Sequence, residues 1–328
     1  MKWKEGAASA PTNSINTSDI HKFMDLCKTN NWNLIRLVVY QEVYEGHRAA
    51  FFAELKAIIE AAQQLGIAVI IDNHQWRIGG AAYPDSIGVP RKYLAGYNIN
   101  GDPASYDSAN GVSQDAVAWW RDLYANNLRQ FRNVYEDLAK YFEDIIGSVD
   151  RYDNVIGYEI LNEPQTSQPT DYDSMGKLND FIAARIRAKT TKRVIYCRDN
   201  GIGAWKPKNA ERPKLIPDEP NIAYDNHSYS LKRMSTYPAE NATATANRSD
   251  VDVFLGEWAA QTQFDPTNTL TLENTKFVLG LCKRHGYALA WWAIGHFGAG
   301  PWKKLANPDG TLRDEGKVYS QAIREIYA

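Results

Sequence analysis

The chain alternates between short unbroken apolar runs and longer stretches whose apolar residues recur every three or four positions. The unbroken runs fall at 34–40, 67–71, 155–161, 194–197, 221–226, 251–256 and 288–294, and each reads as a strand buried on both faces. Between them the spacing predicts helices over 19–30, 47–65, 113–146, 172–190, 270–285 and 315–327. Gly66 stops the second helix directly before a strand, as a joint in a βαβ unit requires. Residues 230–249 read as a loose connection. Residues 75–111 have no period at all, yet carry Trp76, Tyr83, Tyr93, Tyr97 and Tyr106. Loops of that length are commonly functional, so 74–112 is expected to face a substrate.

Strands that are nearly all followed by a helix imply a parallel sheet covered on both faces. Seven strands are one short of a closed (β/α)8 TIM barrel. The missing strand is expected first, within residues 2–10, short and poorly marked. An open doubly wound sheet is the alternative, but no glycine-rich phosphate loop follows any strand. A length of 328 residues suits one barrel domain over 1–328.

A net charge of −2 and a pI near 6.3 give no reason to expect a nucleic-acid or membrane-surface partner. No apolar stretch is long enough to cross a bilayer. Ten Trp and 19 Tyr exceed what packing requires and suit stacking on sugar rings. Cys27, Cys197 and Cys282 lie far apart without metal-ligand spacing and read as small buried hydrophobes. No metal or cofactor is expected.

The strand at 155–161 stops at Asn162-Glu163-Pro164, where proline ends the ladder and biases Glu163 toward an extended backbone. A second strand ends on Glu257. Two strands that each deliver one glutamate at the same end suggest a paired-carboxylate site. A lone arginine in an apolar strand, Arg36, calls for a carboxylate partner. In a parallel barrel the active site lies at the C-terminal strand ends. Arg36, His74, Asn162, Glu163, His227, Tyr229, Glu257, Trp291 and Trp292 therefore converge on one mouth. Trp291 and Trp292 must face opposite sides of their strand, so one of them is ordinary packing. Burial is expected to raise the pKa of Glu163, and Arg36 to lower that of Glu257.

These motifs resemble glycoside hydrolase family 5, the cellulase-like clan A family of retaining enzymes, over residues 18–297. The resemblance rests on Arg36 in Ile-Arg-Leu, the strand-end His74, Asn162-Glu163-Pro164, His227-Ser228-Tyr229, Gly256-Glu257 and a Trp-bearing last strand. It implies that Glu163 is the acid/base and Glu257 the nucleophile. Arg36 and Tyr229 would hold Glu257, and Asn162 would meet the sugar 2-hydroxyl. His74, His227 and one of the two tryptophans would line the subsite. The expected reaction is endo-cleavage of β-1,4-linked glucan, with β-1,4-mannan as the alternative, by a secreted monomer. Trp76 is the expected stacking platform for the glycan. A metal-dependent barrel hydrolase would ordinarily place two closely spaced histidines on one strand, and none occur. A non-catalytic carbohydrate-binding barrel would ordinarily lack one carboxylate, and both are present.

Overall fold

A computed structural model describes residues 17–75, 78, 88–99, 107–108, 111–202, 204–259, 270–292, 304–307 and 309–327. The seven expected strands all form: β1 (Leu34–Val39), β2 (Ala68–Asn73), β3 (Val155–Glu159), β4 (Arg193–Cys197), β5 (Ile222–Asp225), β6 (Val251–Trp258) and β7 (Ala288–Trp291). Every neighbouring pair is parallel, and the order in the sheet is the order in the chain. The two edge strands approach each other, so the sheet curls into a nearly closed barrel. The segment expected to supply an eighth strand, 2–10, lies outside the described residues.

Alternation along each strand decides what lies inside. The lowest interior layer is apolar: Ile70, Ile195, Ala223 and Phe254, with Leu34 and Ala290 against them. Each fully buried aliphatic residue of this kind contributes about 1.5–3 kcal/mol. Two residues farther along the same strands come Arg36, Asp72, Cys197 and Asp225, so an ionic layer sits on an apolar one. Gly157 belongs to the lower level. A Cβ there would stand 3.1 Å from the Ile195 side chain, which explains a glycine inside a strand.

The outer helices include α1 (Thr17–Thr29), α2 (Gln41–Gln64), α3 (Gln114–Tyr124), α4 (Val134–Val149), α5 (Thr170–Arg187), α6 (Tyr237–Ala244), α7 (Leu272–His285) and α8 (Asp314–Tyr327). Three differences from the sequence reading have physical causes. The helix expected over 113–146 is two helices, because Asn126 and Asn133 adopt positive φ of 55° and 66°. The Asn126 side chain then accepts the backbone N–H of Tyr135 at 2.9 Å. Leu128 stays buried between them, so the apolar rhythm survives the break. Helix α2 begins six residues early and kinks at His47, where the expected helix was to start. The stretch 230–249 contains Leu231–Met234 and α6, both too short to announce themselves by periodicity. Among the described residues no helix is long and apolar enough to cross a membrane.

Candidate active site

Arg36 is the centre of the ionic layer, with 3% of its side chain exposed. Its Nε and Nη2 donate to the two carboxylate oxygens of Glu159, both at 2.7 Å. Nη1 donates to Glu257 Oε1 at 3.0 Å and stands 3.1 Å from Asp72 Oδ2. Nη2 also reaches Asn162 Oδ1 at 2.7 Å, and Nε lies 3.4 Å from Asp225 Oδ2. Burial alone would lower its pKa, but Asp72, Glu159 and Asp225 hold it well above the ordinary arginine value. The guanidinium is thus a permanent counter-charge for four strands at once.

One step above this layer stand the groups facing the mouth. Glu257, 4% exposed, accepts from Arg36 through one oxygen and from the Tyr229 hydroxyl through the other. Glu163 lies opposite, its side chain 18% exposed. His227 stands between them: its Nδ1 is 2.8 Å from Glu163 Oε1 and 3.6 Å from Glu257 Oε2. One carboxylate oxygen from each glutamate and a ring nitrogen of His227 all lie within 4.8 Å of one another. The other His227 nitrogen, Nε2, is 3.1 Å from Asp225 Oδ2. Burial works against its charge, but Glu257 and Asp225 raise the His227 pKa well above the ordinary histidine value.

The protonation pattern differs from the one expected. Burial pushes Glu163 up, but the hydrogen bond and charge of His227 outweigh it and leave its pKa below the usual carboxylate value. Glu257 is raised instead, by burial first and by Glu163 as well, against the pull of His227 and Arg36. The sequence expectation ran the other way because it gave Glu163 apolar walls and no cation. The Glu163 backbone was also misjudged. Its φ is +41°, not extended. The strand ends at Glu159, and the left-handed turn at Glu163 interrupts the extended chain before it pairs again, in parallel, at Gln165–Thr166.

The remaining expected residues fall as follows. His74 donates or accepts through Nδ1 with Asp72 Oδ2 at 2.8 Å, and its ring stacks on Trp292 at 5.2 Å and 8°. Trp291 turns away and packs against Trp258 and Tyr319. Asn162 faces His74 Nε2 at 3.5 Å through Nδ2. Trp76, Tyr83 and Tyr106 lie outside the described residues. Tyr93 and Tyr97 do not pave a groove. Both are buried, and their hydroxyls bond to Asp137 and Asp122 on the helices beneath.

Sequence reasoning missed Asp72, Glu159, Asp225 and Gln75. Cys197, taken as a plain core residue, sits 3.9 Å from His227 Nε2. Signals for two of them were present: strands β2 and β5 both run into Asp-Asn-His, at 72–74 and 225–227. Gly256 is explained by the same network. Its N–H donates to Asp225 Oδ1 at 2.7 Å, and a Cβ there would lie 2.0 Å from Oδ2. Among the described residues, donor atoms close enough for a cation occur in two groups, Glu159-Cys197-Asp225-His227 and Glu163-His227-Glu257. Arg36 and a charged His227 already occupy the electrostatic place of a cation in both. The Cys197 thiol, pushed up by burial, is a poor ligand.

Comparison with known proteins agrees with this architecture. Residues 4–298 match the family described as Cellulase (glycosyl hydrolase family 5). A glucan 1,3-beta-glucosidase 2 of Wickerhamomyces anomalus is 28% identical over 168 residues, 49% of this chain but only 36% of that relative's length. Endo-glycoceramidase II from Rhodococcus sp. superposes with a TM-score of 0.74 at 17% identity, covering 97% of this chain and 76% of the other. A broad-specificity endoglucanase from Clostridum cellulovorans gives 0.65 at 15%, over 97% and 88%. A barrel with an ionic floor and two facing glutamates, matched over nearly all its length, places the chain in glycosyl hydrolase family 5, the cellulase family, and so among the glycosidases.

Proposed function

We propose that the protein is a retaining β-glycosidase that cleaves β-1,4-linked glucan internally by double displacement. The observation that carries this reading is the approach of Glu163 and Glu257 to within 4.8 Å. Retaining enzymes separate their carboxyl groups by roughly 5–5.5 Å, and inverting ones by roughly 6.5–9.5 Å to admit a water. Glu257 attacks the anomeric carbon while Glu163 gives its proton to the departing oxygen, leaving a glycosyl ester on Glu257. Glu163 then takes a proton from water, which attacks the same carbon and releases Glu257. Arg36 and Tyr229 hydrogen-bond to the Glu257 carboxylate and favour the ionised nucleophile over the protonated form that burial favours. The proton that Glu163 must donate rests one hydrogen bond away, on His227 Nδ1. A solved neighbour of the same fold, endo-glycoceramidase II, was captured as a lactosyl-enzyme intermediate. That capture supports a covalent route here.

The glucan assignment rests on the family and on Trp292 stacked beside His74 at the mouth. A second reading, a β-1,3-linked or lipid-linked β-glucoside, is favoured by the named activities of the glucosidase relative and the glycoceramidase neighbours. Secretion and a monomeric state are part of the same proposal. Product sizing on soluble β-1,4-glucan, β-1,3-glucan, mannan, xylan and a glycosylceramide separates these substrates. Proton NMR of the first product should show the β-anomer; an initial α-anomer would end the double-displacement reading. Glu257→Gln should abolish turnover of every glycoside. Glu163→Gln should spare the first step for aryl glycosides whose leaving group needs no proton.

A further inference from the structure

Glu163 is a non-glycine residue at φ +41°, followed by a proline. Such conformations cost on the order of 1–3 kcal/mol and persist only where neighbours over-determine them. The neighbour that holds both carbonyls of the turn is Gln75, 1% exposed and two residues past the end of β2. Its Nε2 donates to two successive carbonyls, Asn162 at 2.6 Å and Glu163 at 2.9 Å. Its backbone carbonyl accepts from Asn162 Nδ2 at 3.0 Å. Its Oε1 accepts the N–H of Ile78, itself buried at a φ of +57°. Both amide hydrogens and the amide oxygen are thereby used, which fixes which end of the amide faces the turn. Other contacts also steady the turn: the Glu163 N–H reaches Cys197 Sγ at 3.4 Å, the Asn162 N–H donates to the Asn73 carbonyl at 3.0 Å, the Asn200 N–H donates to the Pro164 carbonyl at 2.8 Å, and His227 holds the Glu163 carboxylate at 2.8 Å.

We propose that Gln75 is a positioning residue for the reaction: its amide clamps the left-handed turn that carries Glu163, and so aims the acid/base at the glycosidic oxygen. The inference rests on Glu163 being the acid/base. Asparagine is one methylene too short to span both carbonyls from the same Cα. Glutamate matches the shape but, ionised, offers no donor and places a negative charge against two carbonyl oxygens. As the carboxyl protonates it regains one donor.

The test compares Gln75→Leu and Gln75→Glu with wild type and Glu163→Gln, on aryl β-cellobiosides of graded leaving-group acidity. If the enzyme cleaves another sugar, aryl glycosides of that sugar take their place. A clamp on the acid/base should lower kcat/KM by on the order of 10²-fold for a phenyl leaving group. With 2,4-dinitrophenyl, which departs without a proton, the loss should be less than about threefold. Gln75→Glu should regain activity toward acid pH relative to wild type, and it decides the matter should Gln75→Leu not fold. Equal losses on both leaving groups, or wild-type values on both, would overturn the clamp while Glu163→Gln still shows its own leaving-group dependence. Absence of that dependence in Glu163→Gln would instead sink the acid/base reading on which the clamp rests.

Discussion

Strands β2 and β5 end in the same three residues, yet the two ends do different work. At 225–227 both oxygens of Asp225 are engaged: Oδ1 by the Gly256 N–H, Oδ2 by His227 and Arg36. At 72–74, among the described residues, only Oδ2 of Asp72 is engaged, by His74 and Arg36, and the buried Oδ1 has no hydrogen-bond partner. The rings are turned oppositely. His227 gives Nε2 to its aspartate and keeps Nδ1 for Glu163, whereas His74 gives Nδ1 to its aspartate and keeps Nε2 for Asn162. The asparagines diverge too: Asn73 donates to the Ile160 carbonyl below Glu163, while Asn226 anchors Asn241 on α6. One motif thus yields a charged proton-holder at one strand and a stacked wall at the other. What each ring faces sets the difference, since His227 meets the carboxylates of Glu163 and Glu257 while His74 meets the Asn162 amide and the Trp292 indole.

The strongest way to break the comparison is to remove what both ends share. Arg36→Leu leaves Asp72, Glu159 and Asp225 buried without their guanidinium. The expected loss is about 3–5 kcal/mol of stability, with activity on glycan falling by at least roughly 10³-fold. Burial already holds Glu159 well above the usual carboxylate value against the pull of Arg36, so in that variant the penalty is greatest at neutral pH and fades as pH falls toward about 4. Denaturant titrations at the two pH values check this, and a deficit independent of pH would contradict it.

His227→Asn should act on one end only. Activity should fall on the order of 10²-fold. The wild-type proton is held by a histidine whose pKa is raised by Glu257 and Asp225. In the variant it must sit on Glu163, so the alkaline limb of kcat/KM should move to lower pH. An unmoved limb would show that His227 does not hold that proton. The same residue adds stability below the unfolded histidine pKa near 6.5, and this contribution is lost as pH rises through the raised folded value.

Gly256→Ala should give an intermediate effect. The new methyl would stand 2.0 Å from Asp225 Oδ2, so the aspartate must turn away from His227. Overpacking of this kind costs about 1–3 kcal/mol. The variant should show a weaker copy of the His227→Asn pH shift. A normal pH profile would mean that Asp225 does not set the state of His227. The smallest effect is expected from His74→Asn, which removes a stacking partner of Trp292 but no contact to either glutamate. KM for long glycans should rise less than about tenfold, and the pH limbs should move less than in His227→Asn, because His74 pulls on both glutamates more weakly than His227 does; an equal shift would erase the contrast between the two ends.

Much of this molecule could be read from its sequence, for a definite reason. Parallel strands buried on both faces appear as unbroken apolar runs, and helices on the outside keep a clean period. The strand-end residues were legible because barrel topology sends them to one mouth whatever the loops do. Glu159 was not, because an acid inside 155–161 acquires meaning only through Arg36, 123 positions earlier. The protonation pattern of the two glutamates was illegible as well. It depends on which nitrogen His227 turns toward Glu163, a matter of one ring orientation. The split at 126–133 was within reach, since three asparagines crowd the segment and asparagine tolerates positive φ.

The position of Arg36 in the chain has a consequence for how the barrel assembles. It belongs to the first described strand, while its partners lie on the second, third, fifth and sixth, the last of them 221 residues away. Loop-closure entropy makes such distant contacts the last to become favourable. Arg36 can meet Asp72 as soon as strands one and two pair, whereas the carboxylates of the third, fifth and sixth strands reach it only later. A chain that emerges in order makes its counter-ion early and must keep it available until the sixth strand arrives. A circular permutant opened between β1 and β2 would make the cation last instead. At neutral pH such a chain should collapse more slowly than the natural order, and acid should narrow the gap.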